Sequence, residues 1–192
     1  PGHFVTSQSH ITHYLDMTTM KTRCAEASRI AKFLSIRYET TTPVDTIVCL
    51  DGLEVVGAFL AEELAKAGVL SMNAHKTIYI VTPEFNANGQ MLFRDNTQHM
   101  IQNRNVVVLM GSITTGVTLQ RCIDSVLYYG GKITGVSAIF SAINKIAGME
   151  INAVYHKQDI PEYESYSAKD CPMCQKKMKI DAIVNGYGYS KL

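Results

Sequence analysis

After its first residue, Asn105-Val-Val-Val-Leu-Met110 has no polar side chain. Successive side chains of a strand point to opposite faces, so this run is apolar on both, as in a parallel sheet covered by helices on either side. The flanking pattern agrees. Thr46-Ile-Val-Cys-Leu50 is a second short apolar run, ended by the turn signal Asp51-Gly52, and Thr77-Ile-Tyr-Ile-Val81 is a third, stopped by Pro83. From Glu54 the spacing turns helical through Val56, Phe59, Leu60, Leu64 and Ala67, with Gly68 as the expected C-cap. A further helix with Leu119, Ile123, Val126 and Leu127 on one face stops at Gly130-Gly131, before strands at 133–140 and 151–155. Strands alternating with helices predict an α/β, doubly wound, Rossmann-like sheet, mostly parallel and flanked by helices. An amino-terminal helix over roughly Met20 to Ser35 is expected to pack through Met20, Cys24, Ala27, Ala31 and Leu34.

The length of 192 residues suits one domain, divided as an N-terminal helix and hood (1–40), a core (41–157) and a tail (158–192). With 46% hydrophobic and 18% charged residues the chain can bury a full core. Eighteen basic against 17 acidic residues leave a net charge of +1, which argues against a nucleic-acid or acidic-membrane partner. No apolar run approaches the roughly 18 residues that span a bilayer. Pro1 to Met20 are polar and His-rich, so no secretory signal is expected there. Five cysteines, an odd number, argue against a disulfide framework, and a cytoplasmic setting is expected. Cys24, Cys49 and Cys122 fall in apolar patterns and are expected to be buried. The segment from Pro83 to Asn103 is long and polar, as in a functional lid or a disordered loop. The tail from Gln158, rich in Tyr, Lys and Gly, is expected to wrap over the surface.

Chemistry concentrates in Met110-Gly-Ser-Ile-Thr-Thr-Gly-Val-Thr118. A strand enters a loop of small and hydroxyl residues that leads into a helix. The free N–H groups of such a helix start, with the hydroxyls of Ser112, Thr114, Thr115 and Thr118, suit a phosphate. Gly116 admits a close anion, and Val117 belongs to the same candidate phosphate loop. An ordinary N-capped helix would carry the same residue types.

Ile113-Thr-Thr-Gly-Val-Thr118 resembles the 5-phosphoribosyl-1-diphosphate loop of type I phosphoribosyltransferases, in which four apolar and two acidic residues precede T-T-G-x-T. The resemblance extends to the orotate phosphoribosyltransferase branch. Thr6-Ser-Gln-Ser-His10 with His13-Tyr-Leu-Asp16 is similar to its T-S-G-x-H-S-x-Y-Y-x-D segment, which implies that Thr6, Ser7, His10 and Tyr14 border the base. Asp51-Gly52-Leu53-Glu54 falls where the family has its diphosphate loop, and Cys171-Pro-Met-Cys174 is similar to a C-P-L-C of some members. The resemblance implies the phosphoribosyltransferase fold with a small hood from the N-terminal segment, a homodimer, and a phosphorylated ribose or nucleotide as ligand. In an active member it also implies Mg²⁺-assisted transfer of phosphoribosyl to a nucleobase nitrogen, a step of pyrimidine metabolism in the orotate branch.

The departures carry equal weight. The family's acidic pair falls on Met110 and Gly111, which cannot bond the ribose hydroxyls. Its lid, with Arg-Lys and Lys-x-His-Gly, is matched by Val81-Thr-Pro-Glu-Phe-Asn-Ala-Asn-Gly89, which has no cation. No residue is therefore assigned as a catalytic acid or base, and a catalytically silent relative that senses a nucleotide or phosphometabolite is the competing reading. Two expectations follow. Gly116→Val should abolish phosphate binding and spare the fold, and Met110→Asp with Gly111→Asp should improve binding of a ribose phosphate.

Lesser signals stay open at the level of sequence. Asp51 and Glu54 could hold a metal or cap the helix that starts there. Cys171-x-x-Cys174 is half of a zinc site, which would need His156, a distant Cys or another subunit to complete it, and two unliganded thiols in a turn would read alike. His10 and His13 lack an evident third ligand. Tyr155, Tyr163, Tyr166, Tyr187 and Tyr189 could stack on a nucleobase or on RNA, but without a basic stripe beside them they suit packing against the sheet or a partner subunit.

Overall fold

The structure, a computed structural model, describes every residue except Glu39, Val69 and Asn88. In chain order, the N-terminal part holds β1 (Phe4–Val5), β2 (His10–Ile11), α1 (Thr18–Thr22), α2 (Cys24–Ser35), β3 (Thr46–Cys49), α3 (Glu54–Lys66) and β4 (Tyr79–Val81). There follow β5 (Glu84–Phe85), β6 (Met91–Leu92), α4 (Asp95–Gln98), β7 (Asn105–Ile113), α5 (Val117–Tyr128) and β8 (Lys132–Ser141). The chain ends with β9 (Lys145–Ile146), β10 (Met149–His156), β11 (Ser165–Tyr166), α6 (Pro172–Gln175), β12 (Ala182–Asn185) and β13 (Gly188–Lys191).

Among the described residues the central sheet runs β4-β3-β7-β8-β10-β9, parallel except for the β9–β10 hairpin. The two-faced reading of β7 holds. Val107 and Leu109 join one core with Ile47, α2 and α3, while Val106, Val108 and Met110 join the other with Val48 and α5. In α3, Gly57 lets the helix settle on β3, since a Cβ there would lie 2.5 Å from Cys49 Sγ. From β3 the order steps outward to β4 on one side and to β7 on the other. The carboxyl ends of β3 and β7 therefore flank a topological switch point, where parallel α/β sheets form their ligand crevice.

Several expectations need correction. The amino-terminal helix is broken at Arg23, which adopts extended backbone between α1 and α2. The break shifts the buried face to Ala27, Ile30, Ala31 and Leu34 and leaves Cys24 exposed. Leu127 is likewise exposed, and Cys122 takes its place on the buried face of α5. Cys49 and Cys122 are buried as expected, and burial pushes the Cys122 thiol up to about 12. The 83–103 segment has more order than its polarity suggests. Its β5–β6 hairpin and α4 are anchored by buried Met91, Phe93 and Ile101, and Asn88 lies outside the described residues.

The hood is not the work of the N-terminal segment alone. A second sheet, β11-β2-β1-β12-β13, pairs β1 in parallel with β12 and β2 antiparallel with β11, so both chain ends build it. The tail is therefore integral rather than a surface wrap, with Tyr163, Cys171, Ala182 and Val184 buried. Strands of two to four residues are too short to show a period in sequence, and only their mutual pairing makes them a sheet.

Candidate functional site

The switch point opens into a cavity of about 580 Å³, within the usual ~300–1,000 Å³ of small-molecule sites. One wall is the loop leaving β7. Gly116 is the N-cap of α5 at φ +81°, a left-handed conformation that glycine adopts without cost. No side chain caps the helix, so its first N–H groups stay available. Ser112, Thr114, Thr115, Val117 and Thr118 all line the cavity together with Gly116. Thr114 Oγ1 lies 3.5 Å from the hydroxyl of Tyr163, a half-wall residue whose ring packs 4.9 Å from that of Phe140.

The turn after β3 faces this loop. Asp51 and Gly52 both have left-handed backbone, at φ +59° and +74°, and both line the cavity. Asp51 does not cap α3, whose N-cap is Leu53. Its Oδ2 instead accepts the N–H of Gly111 at 3.0 Å. Burial raises the pKa of this carboxyl, against the pull of the Lys21 ammonium and of the Gly111 and Ser112 N–H groups. Lys21, from α1, donates to the carbonyl of Asp51 at 2.8 Å and to that of Gly186. Burial holds the Lys21 ammonium below its ordinary pKa, with Asp51 the main opposing charge.

The β12–β13 turn closes over the same spot. A Cβ on Gly186 would collide with the Asp51 carboxylate, and the Tyr187 ring would touch one on Gly52 at 3.7 Å. Leu53 is fully buried in the core, and Glu54 accepts from Thr82 Oγ1 at 2.9 Å and is not part of the cavity wall. Of the four residues expected at a diphosphate loop, only Asp51 and Gly52 reach the cavity.

Thr6, Ser7 and Tyr14 also line the cavity, with His13, whose ring lies 6.4 Å from that of Tyr163. Thr6 Oγ1 shapes the β1–β2 turn by accepting the N–H groups of Gln8 and Ser9 at 3.1 and 2.8 Å. His10 does not join them. It is buried, and its Nδ1 lies 3.3 Å from Cys174 Sγ, within the hood and off the cavity wall. Alternation along β2 explains this, since His10 and Ile11 must face opposite sides and Ile11 takes the cavity face.

Among the described residues, Lys21 and Arg121 are the Lys and Arg side chains on the wall, and Asp51 is its one carboxylate. Sequence reading missed Lys21. Its signal was the polar Thr18–Thr22 stretch ahead of Asp51, legible only once α1 ends at Arg23 and turns the amine inward. The fold family implies Mg²⁺, but the wall does not fit a resident ion. Met110 and Gly111 supply no oxygen side chain, and Asp51 is already held by an N–H and faces an ammonium.

The sequence matches no family model and no curated protein. Solved structures do match. Adenine phosphoribosyltransferase from Thermoanaerobacter pseudethanolicus gives a TM-score of 0.56 at 15% identity over 74% of this chain and 87% of that one. Orotate phosphoribosyltransferase from Mycobacterium tuberculosis H37Rv gives 0.54 at 14% identity over 76% and 81%. The chain has the phosphoribosyltransferase fold. UMP synthase from Leishmania donovani also matches, at 0.52 and 15% identity, but this chain spans only 30% of that protein. Enzymes of different bases match the phosphoribosyltransferase fold of this chain alike, so the fold is common to them and the base is not. Among the described residues, no helix is long and apolar enough to cross a membrane.

Proposed function

We propose that this chain binds a 5-phosphorylated ribose ligand, such as a nucleoside monophosphate, through the Thr114–Thr118 loop. The observation that carries the reading is the pairing of an uncapped helix start at Gly116 with three threonine hydroxyls on the wall of a nucleotide-sized cavity. Arg121, one turn into α5, and Lys21, whose amine lies beside Gly111, add positive charge. The resemblance of the amino-terminal segment to the orotate branch supports a base bordered by Thr6, Ser7, His13 and Tyr14, which line the cavity, and a homodimer belongs to the same reading.

Silent binding is favoured over transfer. Where the family expects a diphosphate, the Asp51-Gly52 turn lies beneath Gly186 and Tyr187. Where it expects two carboxylates on the ribose, there are Met110 and Gly111. Phosphoribosyl transfer to a nucleobase, as in the neighbours named for that activity, is the second reading, and any Mg²⁺ would then arrive with the diphosphate.

Thermal shift with and without Mg²⁺ tests both, using 5-phosphoribosyl-1-diphosphate, orotidine 5′-monophosphate and other nucleoside monophosphates, ribose 5-phosphate and inorganic phosphate. Ligand at a hundredfold its Kd adds about 2.7 kcal/mol, a rise of roughly 5–10 °C in Tm for a domain of this size. A rise with monophosphates that ignores Mg²⁺ is the expected result. A Mg²⁺-dependent rise confined to the diphosphate would support the transferase instead. No response to any phosphate would refute the site. Thr118→Val removes one hydroxyl at constant shape, and titration calorimetry should show affinity about 10–100-fold weaker, the worth of one hydrogen bond to a charged group.

A further inference from the structure

The hood holds four metal-binding side chains at its centre, behind the cavity. His3, His10, Cys171 and Cys174 each offer one donor atom, and these atoms all lie within 4.8 Å of one another. His3 Nε2 and His10 Nδ1 are 3.0 Å apart. Cys171 Sγ and Cys174 Sγ lie 3.7 and 3.6 Å from His3 Nε2, and Cys174 Sγ lies 3.3 Å from His10 Nδ1. Tetrahedral zinc with bonds of ~2.0–2.1 Å to nitrogen and ~2.3 Å to sulfur has edges of roughly 3.3–3.8 Å, so three of these four separations match a coordination shell and the His3–His10 pair need open by only a few tenths of an ångström.

We infer that these four residues form a structural zinc site that ties the two ends of the chain together. The cysteines come from one tight turn, with Cys171 as the N-cap of α6 and Pro172 at its first position. His3 immediately precedes β1 and His10 opens β2, at the other end of the chain, which explains why the motif looked half complete in sequence and why neither His156 nor a distant Cys is needed to complete it. Outside the shell, His3 Nδ1 lies 3.2 Å from the carbonyl of Met178. Donating its proton there leaves Nε2 with a free lone pair aimed at the cluster, the usual support of a metal-bound histidine. His3, His10 and Cys171 are buried. Four protein ligands leave no open position for water or substrate, so the site holds structure and performs no chemistry. The assignment is independent of the phosphate-loop reading.

Elemental analysis of protein purified without chelator should give one zinc per chain, falling to a small fraction in Cys171→Ser and in His3→Ala. Because those variants risk misfolding, thiol titration of the wild-type chain supplies the second arm. Cys24 is exposed and should react at once with a thiol reagent, while Cys171 and Cys174 stay protected until a chelator releases them. Cobalt(II) added to the chelated protein should give the intense visible bands of a tetrahedral thiolate site. If zinc binds neither as purified nor on titration, and both thiols react equally with and without chelator, the cluster is a metal-free hydrogen-bonded group and the inference fails.

Discussion

Installing the missing carboxylates, by Met110→Asp with Gly111→Asp, is expected to lower Tm by on the order of 10 °C or more and to leave ribose 5-phosphate binding no tighter. Comparison with the family pattern alone argues the reverse, because two acids there would meet the ribose hydroxyls. The packing decides it. Met110 is 3% exposed and belongs to the core beneath α5, so its loss alone removes about 1.5–3 kcal/mol of apolar burial before any charge is desolvated. At Gly111 a new Cβ would lie 3.2 Å from both Asp51 Cβ and Lys21 Nζ. Its carboxylate would crowd the buried Asp51 carboxyl and compete for the amine that also holds the Gly186 carbonyl. Differential scanning calorimetry and ligand titration on the double variant check both parts. A tighter ribose phosphate with an unchanged Tm would mean that the ribose subsite is still laid out as in the transferases.

That contrast marks where sequence reading succeeds. The parallel sheet was legible because β3, β7 and β8 are long or apolar enough to declare their faces, and the loop between β7 and α5 because its small and hydroxyl residues end at a helix start. The hood was not. Its strands are two to four residues long, pair across most of the chain's length, and carry their information in contacts such as Phe4 with Ala182. Lys21 was hidden for a related reason, since its role depends on a helix break at Arg23 that no glycine or proline announces. Cys171 and Cys174 were visible as a motif, but their two histidine partners are brought in by that same long-range pairing. Local periodicity thus fixed the scaffold, while Lys21 and the hood came from segments whose position only tertiary structure sets.

Gly116→Val should abolish measurable binding of a nucleoside monophosphate, and it should also cost stability, which a reading of the loop by itself did not anticipate. A β-branched residue held at φ +81° costs about 1–3 kcal/mol in backbone strain. The added Cβ would lie 3.0 and 3.1 Å from the Cδ1 atoms of Ile143 and Ile146, and such crowding adds about 1–3 kcal/mol. Relief by rotating the backbone would re-aim the first N–H groups of α5, the donors on which the proposed phosphate site rests. The expected Tm loss is on the order of 10 °C. Stability and binding fall together here, so the variant must be read beside Thr118→Val, in which binding should weaken while Tm stays within a degree or two. If Gly116→Val lost stability but kept its affinity, the phosphate would have to sit elsewhere in the cavity, where Lys21 and Arg121 are the cations of the wall.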